Sequence, residues 1–419
     1  MNKLAYEILV VGAGPAGLAA ARSAASAGAR VGIIEDNPYS GGQIWRGGAE
    51  KHRDGRAREL ATAISSATNI TYHTQTRIVH AVADRELLAQ TQHDAISFHY
   101  EKLILATGAR ELLLPFPGWT LPGVTGAGGL QALSKGGFPV AGKRVVVAGS
   151  GPLLLASAAS LLEQGAIVSH VLEQASPRSL SRFALSLLAT PGKLRQAAQL
   201  GLGLKLRATR YTGNSFIRAA HGDTQLQQVT ASIHGKEHRI ACDYLACGYG
   251  LLPNTELASA VGCRITDGKM QVDEWQRSSL ENVYCAGEGT GIGGVDLSLA
   301  EGAVAGYAAI GEQERAREFF GRRGKWQAFA RQLEESFALR QEVLQLSDAE
   351  TLVCRCEDVS YRQLLEHAGW RDAKLHTRCG MGACQGRICG AATQALFGWH
   401  KDEARLPIFP TRVGSLLEE

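Results

Sequence analysis

The sequence predicts an α/β chain with two three-layer nucleotide-binding units and a small cysteine-rich segment toward its C-terminal end. Three observations carry this. Residues 7–36, EILVVGAGPAGLAAARSAASAGARVGIIED, run through a strand, a glycine turn, a helix, a second strand and an acid. Residues 143–173 half repeat that order. Five of the nine cysteines crowd between Cys354 and Cys389.

The first unit is the most explicit. Residues 8–11 are a short apolar run, as a buried parallel strand requires. Gly12, Gly14 and Gly17 then spell G-x-G-x-x-G, with Pro15 and Ala16 opening an Ala-rich helix. Gly12 makes the tight turn, Gly14 admits a pyrophosphate to the backbone, and Gly17 lets the helix pack on the strand. The helix N-terminus offers unpaired amides and a positive dipole end to phosphate oxygens. A second strand, residues 31–34, ends on Glu35 and Asp36; Glu35 stands where an acid accepts a hydrogen bond from a ribose hydroxyl.

A chain of 419 residues, 45% hydrophobic and 20% charged, has room for two or three domains of ordinary composition. A net charge of +4 gives no support to a nucleic-acid partner. No apolar run reaches the ~18–20 residues of a membrane span; the nearest, residues 153–162, stops at Glu163. Glu7 and the glycine fingerprint occupy the place of a signal peptide's apolar core, so the expected location is cytoplasmic.

Residues 37–48 form a glycine-rich loop carrying Gly42 and Gln43, followed by a helical pattern over 56–66. Residues 70–74, 78–82, 86–91 and 96–100 read as a small meander. Residues 102–108, KLILATG, read as a further strand whose exit, Thr107-Gly108, brings backbone close to a bound cofactor. In the half repeat, Gly149 and Gly151 precede a helix over about 152–164, and a strand over 167–172 ends at Glu173. Leu154 stands at the third glycine position, so helix and strand cannot approach as closely. Three readings stay open for this unit: NAD, another nucleotide, and a structural remnant. It runs on through 204–209 and 226–233 to residues 243–254, DYLACGYGLLPN, whose ending mirrors LILATG. Residues 282–302 give a strand, the Gly287-Glu288 turn and a helix from about residue 296, a second place for a phosphate or a flavin carbonyl. Residues 311–347 are charged and helical in pattern, with an aromatic stripe of Phe319, Phe320, Trp326, Phe329 and Phe337. The stripe fits packing on a neighbouring domain or subunit, or an ordinary amphipathic helix pair.

In a chain without an export signal, crowded cysteines read as metal or redox chemistry. Thiolates bind soft iron or zinc, and four of them close a tetrahedral or cluster site. Cys354 and Cys356 lie on one turn in LVCRCE, and Cys384 and Cys389 follow in TRCGMGACQGRICG. These four are the preferred ligand set, with Cys379 the spare or alternate. A zinc knuckle and a disulfide pair are the competing readings. Cys242, Cys247, Cys263 and Cys285 are expected as buried core thiols.

GAGPAG, ILATG and YCAGEG resemble the three FAD-contacting segments of the two-dinucleotide-domain flavoprotein reductases, over roughly residues 1–310. Glu288 stands where that family usually has Asp, and no C-x-x-C follows Glu35, which argues against a disulfide mechanism. GGQ at 41–43, GSGPLLLA at 149–156 and the two cysteine motifs are similar to a narrower group, the α subunits of bacterial heteromeric amine dehydrogenases. That group includes opine oxidases, D-hydroxyproline dehydrogenase and the hydrogen cyanide synthase flavoprotein subunit. The cysteine window resembles a bacterioferritin-associated-ferredoxin-like 2Fe–2S domain. The resemblance implies Rossmann-like domains of the pyridine-nucleotide-disulfide-reductase type, with FAD on residues 1–112 and 266–312. It implies a second nucleotide domain over 113–265, a connector over 313–347, and a 2Fe–2S domain with tail over 348–419. FAD and a 2Fe–2S cluster are the implied cofactors, with FMN at a subunit interface a further candidate. An amino-acid-oxidase-like β subunit would carry the substrate site and a small ferredoxin-like γ subunit would assist, leaving no catalytic side chain on this chain. The expected role is electron relay during oxidation of a secondary amine or amino acid of the D-hydroxyproline, opine or proline type. The rivals are a stand-alone NAD(P)H-dependent ferredoxin reductase and a regulatory flavoprotein.

Overall fold

The 7–36 segment folds as its pattern requires. In the computed structural model, which describes residues 2–400 and 404–417, β1 (Asn2–Val11), α1 (Pro15–Ala25) and β2 (Val31–Ile34) follow in order. β1 and β2 are parallel, with Ile8 opposite Val31. After α2 (Gly55–Ser65), β3 (Ile70–His73) pairs in parallel with β2 and so belongs to the main sheet rather than to the meander. The meander proper is β4 (Arg77–Ala83), β5 (Glu86–Gln90) and β6 (Ala95–Leu105). β6 joins two runs that the sequence separates. Its first half pairs antiparallel with β5, and its second half takes the strand Val283–Cys285 in parallel. Along its other edge it runs beside β1.

The chain divides into two units. The first comprises Met1–Arg110, Leu252–Ala330 and Glu403–Glu419; the second comprises Glu111–Leu251 and Arg331–Asp402. In the first unit the helix Gly294–Ala309 packs on α1 at backbone distance, because small residues face each other. A Cβ on Gly302 would lie 2.1 Å from the Ala16 carbonyl oxygen, and one on Gly306 2.3 Å from that of Ala20.

The second unit contains β7 (Val124–Gly126), α3 (Ala127–Lys135), β8 (Arg144–Gly149), α4 (Leu153–Glu163) and β9 (Ile167–Glu173). α5 (Pro177–Ser186) and α6 (Pro191–Leu206) lead to β10 (Arg210–Thr212), so residues 204–206 end a helix. With β14 (Tyr244–Gly248) these strands form a parallel sheet in the order β10-β9-β8-β14-β7. β11 (Ser215–His221), β12 (Gln228–Ile233) and β13 (Lys236–Ala241) form an antiparallel sheet beside it. Leu154, at the missing third glycine, is fully buried between α4 and β14, 3.3 Å from where a Gly248 Cβ would stand.

The cysteine segment belongs to the second unit, where Trp119 Nε1 donates to the Leu352 carbonyl at 2.6 Å and the Ser347 hydroxyl to that of Pro115 at 2.9 Å. The tail packs in the first unit, the Ile408 amide donating to the Val79 carbonyl and the Arg412 amide to Gln90 Oε1, both at 2.9 Å. Residues 401–403 and 418–419 of the expected 348–419 domain lie outside the described residues. The 313–347 connector is divided as well, within the helix Phe320–Ser336. Phe319 and Phe320 rest on Tyr307 and Trp275 in the first unit, and Phe337 on Phe183 in the second. No helix among the described residues is long and apolar enough to cross a membrane.

Candidate cofactor sites

In the first unit the glycine turn is fixed by backbone contacts. Gly12 sits at φ +101°, donates to the Ile34 carbonyl at 2.8 Å, and would carry a Cβ 2.3 Å from the Ala106 carbonyl oxygen. A Cβ on Gly17 would lie 1.8 Å from the Gly12 oxygen. Gly14 is different: it caps α1 without a side-chain bond, and its nearest neighbour on that side is Gly42 Cα at 3.9 Å. With Pro15 and Ala16 it leaves the first-turn amides of α1 without intrahelical partners. The Gly41 amide donates to the Ala13 carbonyl at 2.8 Å, which holds Gly42 over the turn, and Trp45 anchors the same loop in the core. The Gln43 side chain is exposed and accepts a hydrogen bond from Arg46.

Glu35 is buried and locks the turn: one carboxylate oxygen accepts the Ala13 amide at 2.8 Å, the other the Asn37 amide at 2.9 Å and its side-chain amide at 2.6 Å. Asp36 is instead half exposed and paired with Arg77 at 2.8 Å, an ion pair worth about 1 kcal/mol or less. Beside the turn, Thr107 and Gly108 are clamped by Asn254. The Thr107 hydroxyl donates to the Asn254 carbonyl at 2.6 Å, the Asn254 side chain returns a bond to the Thr107 carbonyl at 3.0 Å, and its amide donates to that of Gly108 at 2.9 Å. Gly287, at φ +79°, lies over Ala16, where its Cβ would come within 2.7 Å of the Ala16 Cβ. Burial pushes the adjacent Glu288 carboxyl up from its usual range. The structure thus brings Gly12–Gly17, Glu35, Gly42, Thr107-Gly108 and Gly287-Glu288 into one unit.

Sequence reasoning missed three groups here. Asn254 is visible only as the end of DYLACGYGLLPN. Arg56 bridges Asp54 at 2.7 Å and Asp296 at 2.6 Å, and so brings α2 to the first turn of the helix Gly294–Ala309. Glu301 is buried in that helix, accepts the Gly287 amide and the Thr290 hydroxyl at 2.9 Å each, and is pushed by burial up to about 7. Its ordinary value is 4.5, so between these limits the folded protein binds more protons than the unfolded chain. The stability of the neutral carboxyl is therefore present below pH 4.5 and is lost as pH rises through about 7. Glu301→Gln is expected to match the wild-type thermal midpoint near the acid end of this window and to exceed it at alkaline pH, read by scanning fluorimetry.

The second unit repeats the acid-to-turn lock. Glu173, 1% exposed, accepts the Gly151 amide at 2.7 Å and the Ala175 amide at 2.8 Å, and burial raises its carboxyl to about 7. Gly149, at φ +146°, would place a Cβ 2.1 Å from the Gly248 oxygen.

In the cysteine segment the Sγ atoms of Cys354, Cys379 and Cys389 lie within 4.8 Å of one another, all buried. Cys384 is hydrogen-bonded to Cys389 and to Cys356, and Cys356 is the exposed member. The five thiols therefore form one group. Cys354, Cys389, Cys384 and Cys356 make a chain of neighbours, and Cys379, which also neighbours Cys354, shares the apolar core of Val353, Leu364 and Trp370 with Cys354 and Cys389. Gly382 packs on Cys356, where a Cβ would come 2.3 Å from the Cys356 Cβ, and Gly380 and Gly386 pack on the Trp370 ring. Nearby, His367 and His376 each place Nδ1 3.0 Å from an Asp372 carboxylate oxygen. Cys242, Cys247, Cys263 and Cys285 are buried, as expected, and Cys263 and Cys285 are hydrogen-bonded to each other.

The glycine cradle with its open helix N-terminus suits a dinucleotide, and a sulfur-only donor set suits iron–sulfur better than a hard cation. These features define a flavin-dependent oxidoreductase with two dinucleotide-type domains. The chain belongs to the pyridine nucleotide-disulphide oxidoreductase family, whose model matches residues 6–306. It is 32% identical to an opine oxidase subunit of Agrobacterium tumefaciens strain Ach5, over 92% of this chain and 84% of that one. It is 31% identical to the HcnB subunit of hydrogen cyanide synthase from Pseudomonas protegens, over 91% and 89%. Among solved structures, the fold is similar to L-proline dehydrogenase from P. horikoshii, with a TM-score of 0.69 at 20% identity over 100% of this chain and 80% of that one.

Proposed function

We propose that this chain is the electron-relay subunit of a heteromeric dehydrogenase that oxidises a secondary amine or amino acid of the D-hydroxyproline, opine or proline type. The observation that carries this reading is a dinucleotide cradle and a five-thiol group in one chain that is similar over most of its length to subunits of opine oxidase and hydrogen cyanide synthase. FAD would rest on Gly12, Gly14, Pro15, Ala16 and Gly17, with its ribose toward Glu35. Its ring end would meet Gly42, Gln43, Thr107, Gly108, Gly287 and Glu288. A 2Fe–2S cluster would be held by Cys354, Cys356, Cys384 and Cys389, the run of neighbouring thiols that reaches from the core to the exposed Cys356.

When bound, flavin takes up electrons in pairs and a 2Fe–2S cluster passes them singly. The chain's own residues do the rest. The α1 amides bind phosphate oxygens, and Glu35 keeps the turn in the shape that binding needs. Asn254 holds the Thr107-Gly108 backbone in place, and Glu301 does the same for Gly287. Gly380, Gly382 and Gly386 let the cysteine loop turn its amides toward sulfur, which tunes a cluster's potential. Substrate oxidation would fall to an amino-acid-oxidase-like β subunit. The further partner would be a small ferredoxin-like γ subunit, with FMN at the subunit interface.

The test is anaerobic bleaching of the flavin in the purified chain. D-Hydroxyproline or an opine is expected to bleach it only when the co-encoded β subunit is present. Rapid bleaching by NADH in the chain alone would overturn the reading and make it a nicotinamide-dependent reductase.

A further inference from the structure

We infer that the second dinucleotide cleft is closed by the chain's own segment 336–340, which takes the polar contacts a dinucleotide would use, so that this unit does not bind NAD(P)H. The segment follows the helix Phe320–Ser336 and crosses the glycine turn between β8 and α4 within the second unit. Ser150, the residue between Gly149 and Gly151, donates its hydroxyl to the Phe337 carbonyl at 2.8 Å. Gln174, the residue after the acid, donates to the Ala338 carbonyl at 3.0 Å and to the Ser150 hydroxyl at 2.9 Å, and accepts the Arg340 amide at 3.1 Å.

Ser150 and Gln174 are 8% and 0% exposed, so these polar contacts with the segment are made away from water, where each hydrogen bond counts for more. Apolar contacts hold it as well. The Phe337 ring packs edge-on against Phe183 at 4.9 Å, and lies 3.8 Å from where a Gly151 Cβ would stand. Arg340 bonds the Asn214 side-chain oxygen and Glu342, and its guanidinium lies 5.7 Å from the Phe216 ring centre.

The two halves of the repeat differ where this grip is made. Aligned on their glycines, Ala13 of the first half stands where Ser150 stands in the second; aligned on their acids, Glu35 and Glu173, Asp36 stands where Gln174 does. Ala13 has no side-chain donor and Asp36 is half exposed, turned to Arg77. The second half therefore carries the two side chains that bind the segment, and lacks the third glycine that would suit a dinucleotide.

The inference is independent of the relay reading and is tested without substrate. ADP-ribose, which carries both riboses and the pyrophosphate but cannot be oxidised or reduced by flavin, is titrated into the FAD- and cluster-loaded chain by calorimetry. No saturable heat is expected; saturable binding would overturn the inference whatever the amine experiment shows. In parallel, Phe337→Ala and, as a milder change, Ser150→Ala are compared with wild type by amide hydrogen exchange. Residues 149–151 and 338–342 are expected to exchange about tenfold faster or more in both variants, with the flavin and cluster absorption unchanged. Exchange at the wild-type rate in the variants would mean that the segment does not close the cleft.

Discussion

Gly17→Val is expected to abolish flavin retention and to lower the thermal midpoint by more than about 5 °C. The first atom of the new side chain would stand 1.8 Å from the Gly12 carbonyl oxygen and 3.4 Å from the Ala106 Cβ. Neither neighbour can yield cheaply. Gly12 is tied by its amide to Ile34 and is itself pressed against the Ala106 carbonyl, so the turn, β2 and β6 would all have to shift. Overpacking of this kind costs about 3 kcal/mol or more when the obstacle is backbone. Gly14→Ala is the informative control. Its φ of −74° is open to alanine and its nearest neighbour is 3.9 Å away, so stability should stay within about 1 kcal/mol of wild type. The added methyl would nevertheless stand where a pyrophosphate approaches the backbone, and flavin affinity should fall. A variant pair in which both proteins keep their flavin would remove the cradle from the proposed role.

That contrast shows which parts of the site were legible in the sequence. Gly12, Gly14 and Gly17 could be assigned separate duties because each duty is local, set by a turn and the helix that follows it. Glu35 was legible as the acid at the strand end. Its bonds to Ala13 and Asn37 were not, because spacing does not say whether a carboxylate faces a ligand or the chain's own amides. Asn254 and Glu301 escaped notice because each acts on a turn about 150 or 14 residues away, with no periodicity to mark it. The course of β3 and the fusion of two runs into β6 depend on pairing partners, which alternation alone does not specify. Residues 204–206 end a helix although Leu and Lys there give little sign of where it stops. In the second unit Leu154 warned that the repeat was imperfect. The segment that covers it comes from more than 180 residues further on and is visible only in the fold.

Cysteine replacement is expected to separate the five thiols into ligands and bystander. In Cys389→Ser the visible iron–sulfur absorption should be lost, whereas Cys379→Ser should keep about two irons per chain and an unchanged spectrum. Sequence pattern alone leaves Cys379 as a candidate, and the structure sharpens the question by placing its sulfur within 4.8 Å of those of Cys354 and Cys389. Proximity alone would favour Cys379. The case for the other four rests on their reach toward the surface: Cys379, Cys354 and Cys389 are all buried in the core with Val353, Leu364 and Trp370, whereas Cys384 is half-buried and Cys356 exposed. Cys384 is in hydrogen-bond contact with both Cys389 and Cys356, so these three join Cys354 in a run of four thiols that does not require Cys379. A cluster on that run would keep its sulfurs near the loop glycines, whose amides can turn toward them, and would leave Cys379 as a buried thiol beside it. Serine at 379 exchanges a weakly polar thiol for a hydroxyl in apolar surroundings, a cost of about 1–3 kcal/mol that lowers stability without removing a ligand. Iron content and the thermal midpoint should therefore part company in Cys379→Ser, the first unchanged and the second reduced. Loss of iron there, with retention in Cys389→Ser, would transfer the ligand role to the buried triad.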